Sequence, residues 1–151
     1  MNVSDIMTLH PTTIAPDATL AEAIEVMREI GCHHLPVIST EKHLIGILSA
    51  RDCEQALGES LEKPGPIINS ALANAIPVSM VMTPAPIIVE PDAPAHETAR
   101  LMLEHYIGCL PVMRGETLIG IITRSDLLMA FITLSNRPIH SSIHDIRHFH
   151  R

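Results

Sequence analysis

The chain has 151 residues, enough for one ordinary domain or two very small ones. Its composition is 46% apolar but only 2% aromatic, so any core must be aliphatic, and the formal net charge is −7. An acidic chain whose lysines are only Lys42 and Lys63, with no interleaving of basic and aromatic residues, argues against nucleic acid as a partner, because phosphate binding needs a basic face.

Three scattered cysteines, Cys32, Cys53 and Cys109, do not make a disulfide framework and fit a reducing compartment. The first residues, Met-Asn-Val-Ser-Asp, lack the basic-then-apolar pattern of a signal peptide. No run of about twenty apolar residues occurs, so no membrane insertion is expected. The expected location is cytoplasmic.

The chain repeats itself. Val3-Ser4-Asp5-Ile6-Met7-Thr8 returns as Val78-Ser79-Met80-Val81-Met82-Thr83. At the same offset Pro16-Asp17-Ala18 matches Pro91-Asp92-Ala93, Glu22 matches Glu97, Met27 matches Met102, and Leu35-Pro36-Val37 matches Leu110-Pro111-Val112. One residue is lost in the next turn, after which Leu44-Ile45-Gly46-Ile47 matches Leu118-Ile119-Gly120-Ile121. The repeat is a supersecondary unit of roughly 55 residues used twice, which suggests two units burying faces against each other.

In chain order, Thr12–Ala15 and Ile87–Glu90 are β-favouring runs ahead of a Pro-Asp. Pro94 sits where a first helical residue is expected, so the first copy's helix should begin near Thr19. Leu20, Ala23, Ile24, Met27 and Ile30 then share one helical face, and Gly31 is the expected stop. Leu35–Ile38 reads as a strand whose proline should lie at its start or on an edge. Ser39–His43 and Arg114–Glu116 read as hairpin turns. Leu44–Leu48 is the partner strand, and second helices begin around Asp52 and Asp126. The order is β-α-β-β-α, twice: an α/β (α+β) chain with units at 1–60 and 78–134, a linker at 61–77 containing Pro64-Gly65-Pro66, and a polar, His-rich tail at 135–151. Ser70–Ala75 could form one helical turn within the linker, and the tail is expected to order only with a partner.

The most chemical stretch is Gly46-Ile47-Leu48-Ser49-Ala50-Arg51-Asp52, repeated as Gly120-Ile121-Ile122-Thr123-Arg124-Ser125-Asp126. Each copy runs from an apolar strand through a hydroxyl residue to an Asp at a helix start. Helix N-termini offer free N–H groups and a positive dipole end to an anion such as phosphate. A carboxylate there can accept hydrogen bonds from a ribose diol. The plainer reading is that Asp52 and Asp126 are only helix caps, and Ser49 and Thr123 only turn residues.

Together the Met-Thr starts, the Pro-Asp pairs, Leu-Pro-Val and Gly-Ile-x-Ser/Thr-x-x-Asp resemble a pair of CBS domains, the module named after cystathionine beta-synthase, over about residues 3–134. The resemblance implies two units packed sheet to sheet about a pseudo-twofold axis, a homodimer in the form of a flat disc, and adenosyl ligands such as AMP, ADP, ATP, NAD or S-adenosylmethionine in the cleft between units, with no cofactor required. Carried over by position, one site resembles a composite of Asp126, Thr123, Arg124 and Ser125 with Thr8, Thr12, Thr13, Cys32 and His33. The other takes Asp52, Ser49 and Arg51 with Thr83, Ile87, Ile88, Ile107, Gly108 and His34. Apolar strand residues would clasp the adenine. His34 stands where some adenylate-binding relatives place a cation for phosphate; its counterpart is Cys109, so unequal affinities are expected. A histidine there gains charge as pH falls through about 6.5, so affinity at the Asp52 site should rise between about pH 8 and 6.

The functional expectation is a stand-alone regulatory module signalling to an unknown effector protein, with a ligand-free dimerisation scaffold as the alternative. An enzyme is disfavoured, since no G-x-S-x-G, H-E-x-x-H or P-loop occurs. Metal binding is a lesser alternative, through His140, His144 and His148 on one face of a helical tail or through Cys32, His33, His34 and Cys109. Leu127, Leu128, Phe131 and Ile132 are expected on an outer helical face that a second copy covers.

Overall fold

The computed structural model describes residues 1–136. The candidate ligands His140, His144 and His148 lie outside these residues. Helix α1 (Val3–Ile6) and strand β1 (Thr8–Leu9) open the chain, followed by α2 (Leu20–Ile30), β2 (His34–Ile38), β3 (Leu44–Ser49) and α3 (Ala50–Leu57). A linking helix α4 (Ser70–Ala75) and a 3-10 turn (Val78–Met80) lead into β4 (Thr83–Pro84), α5 (Ala95–His105), β5 (Cys109–Arg114), β6 (Thr117–Thr123) and α6 (Arg124–Leu134). The repeated motifs thus become repeated elements. No helix among the described residues is long and apolar enough to cross a membrane.

Local chemistry sets these boundaries. Thr19 caps α2, its hydroxyl accepting from Glu22 N–H at 3.1 Å, and Gly31 ends the helix in the left-handed region at φ 78°. Leu20, Ala23, Ile24 and Met27 are buried, whereas Ile30, in the last turn, is exposed. Pro94 is the N-cap of α5 rather than its first residue, a small correction to the sequence reading.

The runs Thr12–Ala15 and Ile87–Glu90 do not become strands. Each makes one parallel bridge, Ile14 with Val37 and Val89 with Val112. Ile14 donates to Pro36 O at 3.0 Å and its carbonyl accepts from Ile38 N–H at 3.0 Å; Val89 does the same with Pro111 and Met113. Extending either ladder would require a donor from Pro36 or Pro16, or from Pro111 or Pro91, and proline has none. The prolines therefore cut the pairing on both sides and keep β2 and β5 at the outer side of their ladders.

Two three-stranded sheets result, ordered β1-β6-β5 and β2-β3-β4. Each contains a strand from the other repeat. Thr8 pairs with Ile121 and Leu9 with Gly120, while Thr83 pairs with Ile47 and Pro84 with Gly46. Val3 is buried with Val89, Leu110, Val112 and Ile122, and Val78 with Leu20, Leu35 and Leu48. Hydrogen bonds thus cross the division into 1–60 and 78–134: Val3 N–H donates to Ala93 O at 2.9 Å and Val78 N–H to Ala18 O at 2.7 Å. Ile47, Cys109 and Ile121 form a small buried cluster of their own.

The crossing is tight at two glycines. A Cβ at Gly120 would lie 2.8 Å from Thr8 O and 2.9 Å from Met7 Sδ. A Cβ at Gly46 would meet Met82 Sδ and lie 3.0 Å from Thr83 O. Since Gly120 faces backbone more closely, Gly120→Ala is expected to cost about 1–3 kcal/mol and lower the melting temperature by several degrees. Gly46→Ala should cost less, because a methionine tip can move. Calorimetry showing both variants melting like the wild type would contradict this account of the crossing.

Candidate functional site

The two motifs named from sequence form the N-termini of α3 and α6 as reciprocal capping boxes. Asp52 N–H donates to Ser49 Oγ at 3.0 Å, and Ser49 N–H to Asp52 Oδ2 at 2.9 Å. Asp126 N–H donates to Thr123 Oγ1 at 3.2 Å, and Thr123 N–H to Asp126 Oδ2 at 2.9 Å. The plainer capping role is thus real. It uses one carboxylate oxygen of each pair. The other oxygen of Asp126, Oδ1, faces Thr8 Oγ1 at 3.4 Å, long for a hydroxyl–carboxylate bond. Thr8 arrives on the exchanged strand, so residues from both repeats meet at Asp126. No hydrogen bond joins Thr83 to Asp52 in the other half, among the described residues.

The supply of free amides is smaller than the bare motif suggests. Ala50 N–H donates to His33 O at 2.8 Å and Arg124 N–H to Gly108 O at 3.1 Å. With the third amide of each helix held by its cap, the first three positions leave Arg51 N–H and Ser125 N–H for an anion. The same two carbonyl bonds tie His33 to the start of α3, beside Asp52, and Gly108 to the start of α6, beside Asp126, each at the motif opposite to the one with which sequence grouped it.

Charge gathers between the units. The Arg124 guanidinium lies against Gly108, where an added Cβ would sit 3.4 Å from its Cζ. Burial pushes the His34 imidazole below its ordinary value; His33 and Arg124 lower it further, and Asp52 opposes them. Arg124, assigned by sequence to one site, is therefore within electrostatic reach of His34, assigned to the other. Burial pushes the Cys109 thiol up to about 12, with Asp126 and Cys32 adding to the effect. Burial likewise raises Cys53 to about 12 and raises Cys32. All three thiols are free. Cys32, His33, His34 and Cys109 do not form a metal-holding group: no cluster of three or more His, Cys, Asp or Glu stands close enough among the described residues.

The remaining assigned residues are spread over more than one recess. Thr13 lines a recess of about 560 Å³ with His10 and Pro11 of the crossing segment and Lys42, His43 and Glu116 of the two hairpins. Cys32 and His33 line a smaller one of about 180 Å³ with Met27, Ala50 and Leu61. Thr12, Arg51, Thr83, Ile87, Ile88 and Ser125 are exposed, while Ile107 and Gly108 are half-buried. The larger recess contains neither Asp52 nor Asp126, so size alone would choose a different site. Its hairpin residues read from sequence only as turns, and the crossing that brings His10, Pro11 and Thr13 to them is seen only in the structure.

A family model of the CBS domain matches residues 3–59 and 78–133. A CBS domain-containing protein of Dictyostelium discoideum is 32% identical over 127 residues, covering 83% of this chain and 88% of that one. A Vibrio cholerae protein named AcuB is similar in structure with a TM-score of 0.73 at 36% identity, covering 89% of this chain and 93% of that one. CBSX2 of Arabidopsis thaliana, solved in complex with AMP, gives a TM-score of 0.71 at 28% identity, covering 89% and 98%. Inosine-5'-monophosphate dehydrogenase of Methanocaldococcus jannaschii is 33% identical over 117 residues, but those residues make up only 21% of that enzyme.

The lowered His34 value corrects the expected pH window. Burial holds the free imidazole below its ordinary value, so any gain in phosphate affinity from its charge sets in at lower pH than an unperturbed imidazole would give. The same shift has a sign for stability. The unfolded chain takes up a proton near pH 6.5 and the folded chain only at a lower value, so stability is full above about 6.5 and is lost as pH falls through and below it. Thermal melts of wild type should drop from pH 7 to pH 5, and His34→Gln should flatten that drop. Parallel melting curves for the two proteins would show that His34 is not the group responsible.

Proposed function

Because the chain belongs to the CBS domain family, we propose that it is a regulatory module that binds an adenosyl ligand between its two units and passes the bound state to a separate protein. The observation that best supports this reading is the meeting of both repeats at Asp126, where Thr8 of the exchanged strand faces the carboxylate oxygen that the helix cap leaves over. That oxygen suits the hydroxyls of a ribose. Arg124 and the Ser125 amide supply donors on the side where a phosphate would lie. Cys32, His33, Thr12 and Thr13 complete this site, and Ser49, Arg51, Asp52, His34, Thr83, Ile87, Ile88, Ile107 and Gly108 the second. AMP, the ligand in the CBSX2 complex, is the first candidate.

A ligand touching both units changes the free energy of their relative arrangement, and it can shift that arrangement only by its differential affinity for the two states. The module works as a homodimer in a reducing, cytoplasmic compartment, where its free thiols are stable.

Asp126→Asn keeps an oxygen for the Thr123 cap while removing the charge. It is expected to weaken AMP binding by about tenfold or more, the cost of a lost charge-assisted hydrogen bond, with little change in melting temperature. Calorimetric titration checks this. Unchanged affinity would remove Asp126 from the site. A wild-type chain that binds none of AMP, ATP, NAD or S-adenosylmethionine would leave the ligand-free scaffold as the function.

A further inference from the structure

The recess of about 560 Å³ at the hairpins lies apart from Asp52 and Asp126. It takes in Thr117 and Leu118 at the start of β6, whereas Asp126 lies past that strand's last residue, Thr123. Six residue steps of about 3.3 Å put roughly 20 Å between the two places. Small-ligand sites have volumes of about 300–1,000 Å³, and this recess is of that size.

Three segments build it. The crossing segment brings His10 and Pro11, and His10 N–H ties it to the second repeat's sheet by donating to Ile119 O at 3.3 Å. The first hairpin brings Glu41, Lys42 and His43, and the second brings Glu116 and Thr117. Pro11, Ile38 and Leu118, each half-buried, supply apolar surface between them. Charges of both signs therefore surround an apolar patch. Among the described residues, no side-chain hydrogen bond engages His10, Glu41, Lys42, His43 or Glu116, so these groups are not committed to one another.

The repeat makes this place twice and equips it once. At the offset that aligns the two copies, His10, Thr13 and Ile38 correspond to Ala85, Ile88 and Met113. The crossing bends through a left-handed residue in both copies, His10 at φ 50° and Ala85 at φ 46°. The bend thus belongs to the fold, and the imidazole and hydroxyl of His10 and Thr13 belong to one copy alone. The hairpins differ in the same sense. Each turns through one left-handed residue, Gly115 at φ 60° in the second and Lys42 at φ 69° in the first. Glycine adopts that conformation freely, and a residue with a Cβ does so at a cost. The first hairpin bears this cost and sets an ammonium at the recess.

We propose that the hairpin recess binds a small zwitterion, an α-amino acid with an aliphatic side chain. The ligand's carboxylate is met by Lys42 and by the imidazoles of His10 and His43, and its ammonium by Glu116 and Glu41. Its side chain lies on Pro11, Ile38 and Leu118. A simple anion would face the two glutamates and a simple cation would face Lys42, so a ligand of one sign meets repulsion that a zwitterion avoids. The contacts come from both repeats, and an occupant therefore bears on how they are arranged. This site is independent of the nucleotide reading above.

Amide NMR on the full chain, titrated with L-leucine, tests this. The amides of His10, Thr13, Lys42, His43 and Thr117 are expected to shift along one saturation curve, with AMP absent or present. N-acetyl-L-leucine lacks the ammonium and L-leucinamide lacks the carboxylate; each is expected to bind about tenfold or more weakly. Lys42→Gly suits the left-handed turn, so it is expected to melt no lower than wild type and yet to lose about tenfold or more in L-leucine affinity. Glu116→Gln should show the same loss with unchanged melting. Absence of a saturable shift at the hairpins up to about 10 mM L-leucine, enough to fill most of a millimolar site, overturns the proposal. Wild-type affinity for either blocked analogue, or wild-type L-leucine affinity in Lys42→Gly, overturns it as well.

Discussion

The structure depends on the reciprocal exchange of two short strands. Thr8–Leu9 completes the sheet of the second repeat, and Thr83–Pro84 completes that of the first. The backbone pairing of these strands acts together with Val3 and Val78, each buried in the other repeat's core, so the exchange locks the units together through hydrogen bonds and apolar packing at once. It also makes the candidate site composite. A carboxylate on one repeat's helix faces a hydroxyl on the other's first strand, and any ligand held there senses both.

Symmetry sets up two equivalent half-sites, and details break the equivalence. Asp126 has Thr8 opposite it, and Asp52 has no bonded counterpart from Thr83. His34 on one strand is Cys109 on the other, one facing Arg124 and Asp52, the other buried beside Ile47 and Ile121. Leu61, Ile67 and Ala73 of the linker thicken one unit's core. The other unit keeps Leu128, Phe131 and Ile132 exposed, while Leu127, expected beside them from sequence, packs half-buried against its core.

Much of this was legible in the residues. The helices, the hairpins and the glycine stop at Gly31 follow from local chemistry, which the sequence displays directly; the caps were legible in part, since Ser49 and Thr123, read as turn residues, are the N-caps, and Asp52 and Asp126, read as the caps, are the third helical residues that answer them. Two kinds of feature were not. Pairing is a tertiary property: the repeat alignment places Thr8 in the first copy, and nothing local says that its strand joins the second. The runs at Thr12–Ala15 and Ile87–Glu90 have strand composition, but the prolines that cut their ladders sit on two different segments and act only once those are adjacent. The electrostatic contact between Arg124 and His34 was hidden for the same reason, since sequence assigned them to separate sites. The recess at the hairpins was missed because turn residues were read for geometry and not for the wall they form.

The central claim is that one ligand site is built from both repeats at the start of α6. Amide NMR during an AMP titration tests it most directly. The account predicts that Thr8, Cys32, His33, Ser125 and Asp126 shift together along a single saturation curve. Shifts confined to residues of one repeat, or gathered around His10, Lys42 and Glu116 at the hairpins, would contradict it.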